Sequence, residues 1–149
     1  MTTNKPMQPP ARQPIGFWTA RAGEAIQARI RGALHDIGVT QPEWWLLHQL
    51  SLSSGGVNRA ETVEKIGHND TPQVIEEAIV SAINNGWIEQ SGSKLRYTDA
   101  GADLFRRAND VQQMLQDERM RGISEADFVT TIEVLQRTIQ NVGGDAWHW

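Results

Sequence analysis

The sequence predicts a mainly α-helical fold with a small two-stranded β-hairpin. Apolar residues recur at three- and four-residue steps through most of the chain, which is the spacing of one face of an amphipathic helix. Capping residues and glycines divide this pattern into separate helices. One stretch, NNGWIEQSGSKLRYTDAG from Asn84 to Gly101, instead alternates around a Ser-Gly-Ser turn, as a hairpin does.

The composition favours a soluble protein without strongly basic character. The 149 residues are 39% hydrophobic and carry a net charge of -4, from 14 basic and 18 acidic residues. Such a chain can bury one core, and any affinity for nucleic acid has to come from local patches. The chain has no cysteine, which excludes disulfides and thiol redox sensing. Because no apolar run is long enough to span a membrane, we expect a cytoplasmic protein.

Two terminal segments lie outside the helical pattern. Residues 1–14 hold four of the six prolines in the chain and two basic residues, Lys5 and Arg12. Proline-rich segments stay extended, so we expect a flexible N-terminal arm. Residues 144–149 are predicted to form a short tail.

The first half of the chain contains signals for three helices. An apolar stripe predicts a first long helix over residues 15–37, and Gly38 ends it. The capping box TQPE, which starts at Thr40, begins a second helix that is apolar on nearly all sides. The loop SLSSGGVN follows, and Asn58 begins a short third helix.

A fourth helix begins at Thr71 and Pro72 and has one apolar face. The residues of that face are Val74, Ile75, Ala78, Ile79, Ala82 and Ile83. The opposite, outer face carries Gln73, Glu76, Glu77, Val80 and Ser81.

The hairpin follows the fourth helix. Residues 87–90 and 94–98 alternate like strands, and in the second segment Leu95 and Tyr97 point to one face. Because an isolated hairpin is only marginally stable, we expect Trp87, Leu95 and Tyr97 to anchor it on the helices.

Two more helices complete the chain within residues 99–143. Thr98 or Asp99 caps a helix of roughly twenty residues, and Ser124 begins the last helix. The last helix repeats apolar residues at alternating steps of four and three, as a helix-packing seam does. These residues are Phe128, Ile132, Leu135, Ile139 and Val142.

Residues 38–98 therefore have the element order of a winged helix-turn-helix, with the hairpin as the wing. The flanking helices within 15–37 and 99–143 carry more apolar surface than a lone chain can bury. We therefore predict that both are dimerisation helices of a two-fold homodimer.

Five segments with matching order and spacing span about residues 15–142: GVTQPEWWLLHQL, AETVEKIG, VIEEAIVSAINNGWIE, LRYTDAGADLF and GISEADFVTTIEVLQRTIQNV. Together they resemble the MarR family, the multiple-antibiotic-resistance regulators. The resemblance implies a homodimer, a winged helix in each half, and often a ligand cleft between the dimerisation and DNA-binding parts. Two features depart from the family: the wing QSGSKLR is short and lacks an Asp-Arg pair, and the recognition (fourth) helix has no Lys or Arg.

The resemblance and the winged helix together imply binding to double-stranded DNA at a palindromic operator. Residues 38–98 contain four basic and seven acidic residues. Two copies thus offer eight cations, against the roughly 6–10 phosphate contacts of a strong binder. The residues predicted to contact DNA are Arg59, Lys65, Thr71, Gln73, Glu77, Lys94 and Arg96.

These residues have different expected roles. Thr71, Gln73 and Glu77 would meet base edges or nearby phosphates, with two recognition helices about 34–36 Å apart on the duplex. Arg59 and Lys65 would flank them, while Lys94 and Arg96 would place the wing on the backbone. A glutamate can accept a hydrogen bond from cytosine N4. The alternative is that the outer face of the recognition helix is simply solvated.

Four aromatic residues on the first two long helices suggest a ligand site: Trp18, His35, Trp44 and His48. An indole wall with an imidazole donor suits a small, flat aromatic acid. The alternative is that the tryptophans belong to the core and the histidines are half-exposed.

The sequence gives no indication of catalysis or metal binding. His35, His48, His68 and His148 lack the spacing of metal ligands, and there is no cysteine to join them. No phosphate loop, nucleophile elbow or HExxH is present. We therefore predict that the protein is not an enzyme and uses no cofactor.

These observations predict a homodimeric, sequence-specific DNA-binding transcriptional regulator, a repressor that a small aromatic ligand releases. The absence of cysteine favours ligand control over redox control. The alternative is a winged-helix dimer with weak or lost DNA affinity that acts through protein-protein contacts. The acidic recognition helix motivates this alternative.

Overall fold

The computed structural model describes residues 6–145, and the ends of the predicted arm and tail, Lys5 and His148 included, lie outside them. The helices are α1 (Ile15–His35), α2 (Gln41–Ser51), α3 (Arg59–Gly67), α4 (Pro72–Asn84), α5 (Asp99–Met120) and α6 (Glu125–Asn141), and the strands are β1 (Val57–Asn58), β2 (Ile88–Ser91) and β3 (Lys94–Tyr97). The predicted fold class, mainly helical with a small β-wing, is confirmed. Within residues 6–145, no helix has the length and apolar character that crossing a membrane requires.

The chain forms two compact units, one up to Gln112 and one from Gln113 onward. The first unit contains α1 to α4, the three strands and the first part of α5. The second contains the end of α5 and all of α6.

The first unit has two hydrophobic clusters. One joins α2, α3, α4 and the hairpin through Leu46, Leu50, Ile66, Ile75, Ile79, Ala82, Ile88 and Leu95. The other joins α1, α2 and α5 through Leu34, Val39, Leu47, Leu104 and Ala108. Trp87 and Tyr97 pack against both clusters, so the predicted anchoring of the hairpin by Trp87, Leu95 and Tyr97 is confirmed.

The sheet has three antiparallel strands in the order β1-β3-β2, one more than predicted. Val57 pairs with Leu95 and Asn58 with Lys94, so the prediction of a loop throughout SLSSGGVN is wrong at its last two residues, and also at Ser51, the last residue of α2. A two-residue strand is too short to show alternation, which is why the sequence pattern misses it. The pairing holds the start of α3 beside the wing, because the Arg59 amide also donates to the Ser93 carbonyl at 2.9 Å.

The predicted caps form as side-chain hydrogen bonds. Thr40 and Glu43 make the reciprocal bonds of a capping box, and Asn58, Thr71 and Ser124 each accept from a backbone amide three residues ahead. Of the two candidates for α5, Thr98 is the cap, because its hydroxyl accepts from the Gly101 amide at 3.1 Å. α1 ends at His35, two residues earlier than predicted, and Gly38 then turns the chain with φ of 77°.

Candidate nucleic-acid interface

α3 and α4 form the helix-turn-helix, and α4, its second helix, is the predicted recognition helix. Thr71 caps α4 by accepting from the Val74 amide at 3.2 Å, which fixes where the exposed end of the helix begins. Ile75 and Ile79 are fully buried on the opposite side, so the rotation of α4 about its axis is set by the core. The turn is tight: a Cβ on Gly67 would lie 3.3 Å from Pro72. The hydroxyl of Thr71, predicted to meet DNA, is therefore engaged in the cap.

A narrow stripe faces outward along α4. At about 100° per residue, positions 73, 77, 80 and 84 lie within roughly 60° of one another around the axis. Gln73, Glu77, Val80 and Asn84 are all exposed, and the Gln73 amide donates to Glu77 Oε1 at 3.0 Å. α4 contains no lysine or arginine. The stripe thus presents amides, a carboxylate and one apolar side chain, and no cation.

Arg59, predicted as a flanking contact to DNA, is engaged within the chain. Its Nε and Nη2 donate to Glu76 Oε2 at 3.1 Å and 2.6 Å, and its Nη1 donates to Gln90 Oε1 at 2.7 Å. The Gln90 amide in turn donates to the Gly92 carbonyl at 2.8 Å, at the tip of the wing. Arg59 therefore ties the start of α3 to α4 and to the wing. Neither Glu76 nor Gln90 was expected in this role, because the three residues are far apart in sequence.

Three predicted cations remain exposed around α4. Lys65 lies in the last turn of α3, and Lys94 and Arg96 lie on the outer face of β3. Within the described part of the chain none of the three forms an ion pair or side-chain hydrogen bond. Glu89 lies opposite Arg96 across the strands, which lowers the local positive potential of the wing. The stem of Arg96 also covers Gly56, whose φ is 86°.

Comparison with solved structures identifies the fold. A MarR family regulator from Silicibacter pomeroyi aligns with TM-score 0.72 and 16% identity over 86% of this chain and 92% of its own. A MarR family regulator from Rhodococcus sp. RHA1 aligns with TM-score 0.70 and 18% identity, over 87% of this chain and 96% of its own. A Mycobacterium tuberculosis MarR family protein in complex with DNA aligns with TM-score 0.65 and 22% identity, over 89% of this chain and 99% of its own. The same Mycobacterium tuberculosis protein has also been solved with salicylic acid. The chain has the MarR fold. Neither the protein-family models nor the curated protein sequences give a match.

Within this MarR fold, two of the four predicted ligand residues are in contact. The rings of Trp44 and His48, both half-buried, have centroids 5.7 Å apart. Trp44 also stacks on Phe105 at 5.7 Å, and Phe105 stacks on Tyr97 at 5.9 Å. The sequence does not predict that Phe105 belongs to this group, because its proximity to Trp44 depends on how α5 packs on α2. Trp44 is thus partly a core residue and only in part available to a ligand.

Tyr97 closes this aromatic group on the side of the wing. Its hydroxyl donates to the Leu47 carbonyl. Burial raises the pKa of the Tyr97 phenol above its ordinary value, and a hydrogen bond with the Ser51 side chain opposes this effect. The phenol is therefore neutral over the physiological pH range and acts as a fixed donor.

Trp18 and His35 do not join the same group within one chain. They are seventeen residues apart on α1, or roughly 26 Å at 1.5 Å per residue. Trp18 is exposed and meets Phe17 edge-to-face at 5.3 Å, while His35 is exposed in the last turn of α1. Within one chain, a small ligand therefore cannot contact both side chains. Among residues 6–145, no group of three or more His, Cys, Asp or Glu side chains is arranged to hold a metal ion.

The MarR-fold chain also leaves apolar helix faces exposed. On α1 one such face contains Ile15, Trp18 and Ile26, and on α6 one contains Phe128, Ile132 and Ile139. α6 has no buried residue at all. An amphipathic helix whose apolar stripe remains exposed is typical of a surface that meets another protein.

Proposed function

We propose that the protein is a homodimeric, sequence-specific DNA-binding transcriptional regulator that acts as a repressor. The observation that carries this proposal is the rigidly held, outward-facing stripe of α4 with exposed Lys65, Lys94 and Arg96 around it. The Mycobacterium tuberculosis neighbour of the same fold was solved with DNA, which supports DNA as the partner.

The homodimer is supported by the uncovered apolar faces of α1 and α6. A two-fold pair would bury these faces and present two copies of α4 to one duplex. Half-sites one helical turn apart, about 34–36 Å, would then be read together.

The electrostatics of the pair predict moderate binding with a clear salt dependence. Since Arg59 is held by Glu76, each chain offers Lys65, Lys94 and Arg96 to phosphates. If a dimer used all three cations on each chain, a plot of the logarithm of its binding constant against the logarithm of salt concentration would have a slope of about -5. Arg12 in the N-terminal arm is also exposed, and a phosphate contact there would make the slope steeper.

The test is a gel-shift titration against the DNA upstream of the protein's own coding region, repeated at several salt concentrations. We expect specific binding with a slope near that value. The double substitution Lys94→Ala with Arg96→Ala should weaken binding to all sequences and reduce the slope. The control is the double substitution Arg107→Ala with Arg137→Ala, which removes the same charge outside the winged helix. It should neither weaken binding nor reduce the slope. Absent or salt-insensitive binding would instead favour a winged-helix dimer that works through protein contacts.

We further infer that a small aromatic acid releases the repressor by binding beside Trp44 and His48. These two rings are in contact and only half-buried, and the Mycobacterium tuberculosis neighbour was solved with salicylic acid. Titration with salicylate should change the tryptophan fluorescence, and His48→Gln should weaken the response several-fold. His68→Gln, in the turn before α4, serves as the control. A flat response in the unmodified protein rules salicylate out as the ligand.

A further inference from the structure

The two adjacent glutamates of α4 have different surroundings. Glu76 is bound by Arg59 through two hydrogen bonds, whereas Glu77 accepts a single hydrogen bond, from the neutral amide of Gln73. Among the described residues the second carboxylate oxygen of Glu77, Oε2, has no hydrogen-bond partner. The negative charge of Glu76 is therefore compensated and that of Glu77 is not.

Their directions on the helix also differ. Taking Gln73 as the reference, Glu77 lies about 40° to one side and Glu76 about 60° to the other, at 100° per residue. The hydrogen bonds to Arg59 and Gln90 show that Glu76 is on the side of the wing. Glu77 thus belongs to the outward stripe with Gln73 and Val80, and it is exposed.

We propose that Glu77, oriented by Gln73, accepts a hydrogen bond from the N4 amino group of a cytosine in the major groove. Each operator half-site would then contain a G·C pair with its cytosine facing Glu77. The inference rests on the proposed DNA-binding function and assigns part of its sequence specificity to one residue.

The chemistry of the base edges selects cytosine. A carboxylate only accepts hydrogen bonds, and the major-groove edges of guanine and thymine offer it only acceptors or a methyl group. Adenine has an amino donor at N6, but its N7 acceptor lies beside that donor and would repel the second carboxylate oxygen. On the cytosine base itself the N4 amino group is flanked in the major groove by C5–H and not by an acceptor.

Because no cation on α4 neutralises Glu77, its carboxylate contributes to sequence specificity and not to general affinity for DNA. No lysine or arginine on α4 neutralises it, so Glu77 is repelled by phosphates on every sequence. Only a correctly placed amino group offsets that repulsion. Wrong sequences are therefore disfavoured twice, by the repulsion and by the unpaired carboxylate.

The experiment begins with in vitro selection of binding sites from random duplexes by the full-length protein. Each position of the selected half-site is then replaced by the other three base pairs. For the unmodified protein, we expect one position at which cytosine is preferred by roughly 5- to 150-fold, the usual effect of one mismatched base pair.

Two variants of Glu77 then assign that position. Glu77→Gln should lose the cytosine preference and move towards adenine, whose N6 and N7 suit an amide. Glu77→Ala should have no preference there. Both should bind non-specific DNA more tightly than the unmodified protein, because a repelling charge is removed. Asp110→Asn, which makes the same charge change at an exposed position of α5, should alter neither the base preference nor the non-specific affinity.

The outcomes separate the two proposals. If the unmodified protein selects a sequence but both Glu77 variants keep its cytosine preference, the assignment to Glu77 is wrong and the regulator proposal stands. If the unmodified protein selects no sequence at all, both proposals fail. Loss of the preference in Asp110→Asn as well would also overturn the assignment, because a general charge effect would explain it.

Discussion

At the scale of single residues, Tyr97 links the wing to the helices. It lies on the buried face of β3, packs between the two hydrophobic clusters, and donates its hydroxyl to the Leu47 carbonyl of α2. The sequence predicts the inward direction of this side chain from alternation alone. The hydrogen-bond partner is fifty residues away and is visible only once α2 and β3 are packed.

We expect Tyr97→Phe to lower the free energy of unfolding by about 0.5–1.5 kcal/mol near neutral pH, because the Leu47 carbonyl loses its donor. Since the folded-state pKa is raised above 10.0, the neutral phenol stabilises the fold fully below that pH. The stability difference between the two proteins should therefore shrink as the pH rises above about 10. Urea unfolding of both proteins across this range measures the difference.

The absorbance of tyrosinate provides an independent check, because Tyr97 is the one tyrosine in the chain. In the folded protein this absorbance should appear well above the ordinary pH for a tyrosine. Ionisation at the ordinary pH, or a stability difference that does not change with pH, would contradict the buried hydrogen bond.

At the scale of secondary-structure elements, local patterns determine most of what the sequence reveals. The caps at Thr40, Asn58, Thr71 and Ser124 involve residues three apart, and their bonds form as predicted. The short strand β1 and the Arg59 network depend on residues brought together from distant parts of the chain. Such contacts leave no periodic trace, so the charge of Arg59 indicates a DNA contact when it is read from the sequence alone.

The structure instead predicts that Arg59 positions α4 and the wing without contacting phosphates. Arg59→Gln should weaken binding to all operators while leaving the log–log salt slope unchanged. Lys94→Gln should reduce the steepness of the slope by roughly 2 per dimer, since about 0.9 is lost for each phosphate contact. Gel-shift titrations at several salt concentrations measure both quantities.

The loss of fold stability in Arg59→Gln should be small, within about 1 kcal/mol, because the ion pair with Glu76 is partly exposed. Thermal unfolding checks that the variant is intact. A decrease in slope equal to that of Lys94→Gln would mean that Arg59 leaves Glu76 and contacts DNA in the complex.

At the scale of the whole molecule, the exposed apolar stripe of α6 is the surface that the proposed homodimer would bury. Phe128, Ile132 and Ile139 are each more than a third exposed, although they lie on one face of the helix. If this face pairs two chains, DNA affinity depends on it even though it is remote in sequence from α4. Joining two half-site contacts in one molecule commonly increases affinity by 10²- to 10⁴-fold.

We therefore expect Ile132→Glu to convert the dimer to a folded monomer and to lower operator affinity by about 10²-fold or more. The charge would be buried against apolar side chains in the dimer but solvated in the monomer, so the helical circular dichroism should persist. Thr130→Glu adds the same charge on the opposite face of α6 and should leave the dimer intact. Sedimentation equilibrium at micromolar concentration, followed by gel shift, measures both effects. A dimer that persists in Ile132→Glu would exclude this stripe as the interface. An unmodified protein that sediments as a stable monomer would remove the basis for two coordinated recognition helices.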